Sequence, residues 1–255
     1  MGLIFLIIST ACFLIGFCVS VALYRAGRRT AGLNMAFIAI GFVFQCLFLW
    51  KRSELHGRCP ITSGSEILVF ISWSIVIMYF VLGRAFRLSL LGVFTGPIVL
   101  FFQAIALTFL ATNDPGARPA ETLDPWLEMH ASMSLLAYGA FALAAIASIM
   151  YLLQNRQLKS RHPGRLSRRL PPVKYLADAL IRLLIIGQLL MTIGVVSAFF
   201  MEKTPSSLHM AASGGVWLLY GAILTYQLFR RQAPRALARC AIVAFSFAVV
   251  TLLLI

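Results

Sequence analysis

His130 follows Glu128 by two residues, at the head of an apolar run that then carries no charge as far as Gln154. An ionisable pair at the mouth of an apolar helix is where a membrane protein tends to keep its chemistry. His209 opens a later apolar run, and His56 lies near Cys59 in a polar stretch. A neutral imidazole is the commonest protein ligand to metals, and haem iron often takes two axial ligands. His130 and His209 therefore form one candidate ligand pair for haem iron, with His56 approaching from a neighbouring loop. Trp50, Trp73, Trp126 and Trp217 fall near the same helix ends and could wall a flat ring, although tryptophan is enriched at membrane interfaces in any case. Zinc or copper on His56, Cys59, His130 and His209 is a second option, but these residues come from separate loops without compact ligand spacing. Nucleophilic pairs such as Cys59 with His56, or Ser132 with His130, can be drawn, yet no spacing supports them.

These residues need a scaffold, and the composition defines it. The chain is 60% hydrophobic and 12% charged, against roughly 25% charged in soluble domains. A spanning helix needs about 20 mostly apolar residues. Eight candidates run at about 3–24, 33–50, 67–83, 88–111, 127–154, 179–201, 208–229 and 239–255. The expectation is an all-α, polytopic bundle of eight helices forming a single integral membrane domain over residues 1–255. The apolar start reads as a retained helix, because Arg25, Arg28 and Arg29 follow it.

The net charge of +14 would point to nucleic acid in a soluble protein. Here the basic residues sit in short loops, so the lipid bilayer is the expected partner and nucleic acid is not. Loops 1, 3, 5 and 7 hold sixteen Lys and Arg; loops 2, 4 and 6 hold five. Positive loops stay cytoplasmic. Both termini and the starts of helices 3, 5 and 7 are therefore expected outside, with His162 the one cytoplasmic histidine. Pro171-Pro172 suits a helix start that continues into helix 6. Ala137, Gly139, Ala140, Ala142, Ala144, Ala145 and Ala147 would let helix 5 pack closely, and Gly92-x-x-x-Gly96-Pro97 would kink helix 4. The sequence has no phosphate-cradling glycine loop, H-E-x-x-H, G-x-S-x-G or C-x-x-C.

Three segments resemble one known family. The first is Gly57-Arg-Cys-Pro60 followed by Glu66 and a run ending Ser72-Trp73. The second is Met129-His130-Ala-Ser132 continuing to Tyr138 and Tyr151-Leu-Leu-Gln154. The third is Ile186-Gly187-x-Leu-Leu-Met-Thr192-Ile-Gly194, with Val216-Trp217-Leu-Leu-Tyr220 after it. Together they resemble the CcsA/ResC/CcmC-like cytochrome c assembly superfamily, nearest its small YpjD/HemX-like branch. The resemblance implies haem as cofactor, His130 as an external-side ligand, and an assembly partner or apocytochrome as partner. It implies a multi-pass protein of the bacterial inner membrane that catalyses no bond change alone. On this reading the haem-binding set is His130, His209, His56, Trp73 and Trp126, with Glu128 tuning the site. The tryptophan-rich loop of haem-delivering relatives is replaced here by Glu202-Lys-Thr-Pro-Ser-Ser-Leu-His209. That departure favours an alternative: a non-catalytic, HemX-like accessory or regulatory protein without productive haem transfer.

Overall fold

The computed structural model describes residues 2–26, 31–85, 91–112, 124–159, 170–202, 207–230 and 234–254. Within them lie eight helices: α1 (Gly2–Arg25), α2 (Ala31–His56), α3 (Gly64–Ala85), α4 (Leu91–Thr112), α5 (Pro125–Lys159), α6 (Val173–Ala198), α7 (Ser207–Arg230) and α8 (Pro234–Leu254). All eight are long and apolar enough to cross a membrane, as the hydropathy predicts. In hydrocarbon each backbone N–H and C=O must be paired within its own segment, so the helix is the form that these apolar runs take.

One boundary differs from the sequence reading for a physical reason. Helix α2 continues past Trp50 through Lys51, Arg52 and Glu54 to His56. A hydropathy window stops at the charges, but Arg52 and His56 are buried by the fold. His56 is therefore the last residue of a helix and not a loop residue. Gly57 then turns the chain with φ +64, a left-handed conformation that glycine adopts without steric cost. Helix α6 starts at Val173, directly after Pro172, as the proline pair predicts. Helix α4 runs through Pro97 without a break in its assignment.

Helix α5 is the axis. It packs most extensively on α6, and also on α3 and α8. Helices α2 and α4 pack against α3, α1 packs on α2 and α4, and α7 lies between α6 and α8. Of the 35 residues of α5, 18 are buried, against three of the 24 of α7, so α5, with its many small residues among larger apolar ones, sits at the centre. The small residues act as predicted. A Cβ added at Gly139 would meet the Ser74 backbone of α3 at 2.7 Å, and one at Gly194 would meet Ser134 Oγ of α5 at 2.6 Å. Two neighbouring helices thus touch α5 backbone to backbone, where dispersion rather than water exclusion holds a membrane bundle together.

Candidate functional site

The first turn of α5 is built by its own cap. Asp124 Oδ1 accepts from the N–H groups of Trp126 at 2.9 Å and Leu127 at 3.4 Å. Pro125, which has no N–H to satisfy, fills the first helical position. The other oxygen, Oδ2, accepts from the Glu202 N–H at 3.0 Å. One carboxylate therefore starts α5 and ties it to the end of α6. Trp126 rests on Phe200 with ring centroids 4.9 Å apart.

One and a half turns further, His130 points into the α5–α6 seam and is 4% exposed. Its Nδ1 lies 2.7 Å from the Gly194 carbonyl oxygen. A carbonyl only accepts, so Nδ1 carries the proton and donates, and Nε2 keeps its lone pair. This is how proteins prepare an imidazole to bind a metal: one nitrogen is fixed to a carbonyl, which sets the ring orientation and the tautomer of the other. The contact requires glycine at 194, since the helices meet too closely there for a side chain. Gly187 and Gly194 are seven residues apart, two turns on one face of α6. That spacing is the sequence signal for this close approach.

The ring of His209, in the first turn of α7, lies 5.7 Å from that of His130 between centroids and is tilted by 55°. Two imidazoles this close could both reach one metal ion, and His130 and His209 are the residues that would hold haem iron by their ring nitrogens. A cleft of about 230 Å³ lies between α5 and α6, lined by Trp126, Met129, Thr192, Ile193, Val196 and Ser197. Trp217 of α7 closes on it by donating its indole N–H to Thr192 Oγ1 at 2.9 Å.

The other predicted residues take different places. His56 is buried, and its Nε2 lies 2.9 Å from Glu66 Oε1. The same oxygen is 3.0 Å from Arg52 Nε, so His56 is held within an ion cluster. Trp73 stands in the α2–α3 interface, stacked on Phe42 at 5.9 Å and 14°, with its N–H donated to Cys46 Sγ at 3.2 Å. Trp50 is exposed. Ser132 Oγ donates to its own helix at Glu128 O, 2.7 Å away, and so is not paired with His130. Glu128 Oε1 accepts from the Cys59 N–H at 3.1 Å. Burial, with Glu128 and Glu66 nearby, pushes the Cys59 thiol up to about 11. At neutral pH it stays protonated, the form in which a thiol is a poor nucleophile. Among the described residues, no three of His, Cys, Asp and Glu come close enough to hold one ion, which removes the zinc or copper option there. His162 lies outside the described residues.

The contacts of Arg52 were not legible in the sequence, where it counts as a loop charge; in the fold it is 6% exposed. Three histidines nevertheless gather at one end of the bundle, through α2, α5 and α7.

The architecture is that of a multi-pass helical membrane protein. The model of the Cytochrome C assembly protein family matches residues 61–255, and the chain belongs to that family. It is similar to Protein HemX of Brevibacillus brevis, 27% identical over 85% of this chain and 79% of that protein. It is also similar to Protein HemX of Bacillus subtilis (strain 168), 28% identical over 83% and 79%. The cytochrome c biogenesis protein CcsA of Nostoc punctiforme is 29% identical over 55% of this chain, but only 40% of that protein.

Proposed function

We propose that this chain is a haem-binding or haem-handling membrane protein of cytochrome c biogenesis type, holding haem at the outer membrane face between His130 and His209. The observation that carries this reading is the pair of rings 5.7 Å apart with His130 Nδ1 committed to Gly194. Family membership supports the same chemistry. Bound haem would supply the iron centre and the macrocycle that cytochrome c assembly delivers. His130 would offer Nε2, held in one tautomer by Gly194, and His209 would offer the second imidazole. Trp126 and Met129 would cover the apolar edge and keep water from the iron. The charge division between loops supports an outside position for this end and for both termini. In a bacterium the membrane is the inner one. A reporter fused after Ile255 should then read as extracytoplasmic; a cytoplasmic signal would reverse the orientation.

A second reading has its own support: the relatives matched over most of their length are HemX proteins, and the 202–209 segment has no tryptophan. On it, the chain is an accessory or regulatory membrane protein without productive haem transfer. The absorption spectrum of the detergent-purified protein supplied with haem separates the two. A Soret band in the wild type, lost or shifted in His130→Ala, supports the first; a colourless wild type selects the second.

A further inference from the structure

A buried carboxylate in a membrane helix is costly unless every lone pair is used. Glu66 is 0% exposed and uses both oxygens. Oε1 accepts from His56 Nε2 at 2.9 Å and forms an ion pair with Arg52, whose Nε lies 3.0 Å away; both come from the last turns of α2. Oε2 takes the Thr62 N–H at 2.9 Å and its hydroxyl at 2.7 Å. Glu66 also stands in the first turn of α3, where the helix dipole favours a negative charge. One side chain thus joins the end of α2, the connecting residues 57–63 and the start of α3. At the middle of that connection the Cys59 N–H donates to Glu128, two residues before His130.

We infer that Glu66 is a positioning residue for the histidine site: it holds the 57–63 connection in shape, and the connection holds the first turn of α5 through Glu128. This inference rests on the haem reading for its consequence, but not for its geometry. A charge-assisted hydrogen bond from a backbone N–H to a carboxylate is about twice as strong as a neutral one, so a rigid connection can bias the turn that carries His130.

Two readouts test it in the full-length protein, comparing Glu66→Gln with the wild type. The first is the rate at which iodoacetamide modifies Cys59, read at that peptide by mass spectrometry. Glutamine removes the charge and can accept on one side only, so the connection should loosen. Cys59 modification should rise about tenfold for each unit that its thiol falls. The second is haem affinity with the Soret position. Affinity should fall about 10–100-fold, the effect of losing support behind a metal ligand. If Glu66→Gln does not fold, Glu128→Ala removes the acceptor of the tether and should move both readouts the same way. An unchanged Cys59 rate in the folded variant overturns the clamp. A faster Cys59 with unchanged affinity and Soret position overturns the positioning role. If the wild type stays colourless, the haem reading fails instead, and the Cys59 rate alone decides whether Glu66 seats the connection.

Discussion

Two buried histidines sit at the same end of this bundle in opposite chemical settings. At the α2–α3 corner, His56 faces a full negative charge, with Arg52 against the same oxygen. In the α5–α6 seam, His130 faces one neutral carbonyl. A carboxylate binds an imidazole and answers to its protonation, so His56 is spent on holding elements together. A carbonyl only orients the ring, so His130 retains a nitrogen for a ligand. Burial alone does not distinguish the two; the partner does. The same contrast separates Cys59, pushed up to about 11, from a thiol poised to react.

The comparison can be broken most directly at His130. His130→Ala should abolish the haem absorption band altogether, while His56→Ala should leave the band in place. A band lost equally in both variants would erase the distinction. Next in size is His209→Ala, which removes the ring 5.7 Å from His130. It should leave a weaker band with a shifted Soret maximum, as expected when one of two axial ligands is lost. An unshifted spectrum would transfer the second ligand elsewhere. Gly194→Ala sharpens the seam side of the contrast. Its Cβ would stand 2.6 Å from Ser134 Oγ, and overpacking of this kind costs about 1–3 kcal/mol. The thermal midpoint should fall, with the His130 band altered as well. His56→Ala should cost of order 1–3 kcal/mol by the same thermal measurement, since Glu66 loses one buried donor but keeps Arg52 and Thr62.

The smallest effect is a pH dependence. Because the Cys59 thiol is raised from 9.0 to about 11, the folded protein holds its proton where an unfolded chain would lose it. That contribution to stability is present below pH 9 and is lost as the pH rises toward 11. Alkylation of Cys59 should follow, staying slow until the same window. A rate already at its plateau at pH 9 would place the thiol outside the influence of Glu66 and Glu128.

By itself the sequence determined the eight spans, because hydrocarbon selects helices and a helix needs a fixed length of apolar residues to cross it. The proline pair before α6 and the small residues of α5 were legible for the same reason: their effects are local. His130 was legible through the Met129-His130-Ala-Ser132 motif and its place beside a span. What only the tertiary structure decided is which polar groups meet. His130 and His209 are 79 residues apart, and neither predicts the other's approach. Gly194 supplies a backbone carbonyl, a group every residue has, so no side chain announced it. Arg52 read as a surface charge because hydropathy cannot see a carboxylate that arrives from the next helix. Partner choice is set by helix packing over long sequence separation, and in a membrane that packing turns on close backbone contact at a few glycines rather than on any pattern of apolar residues.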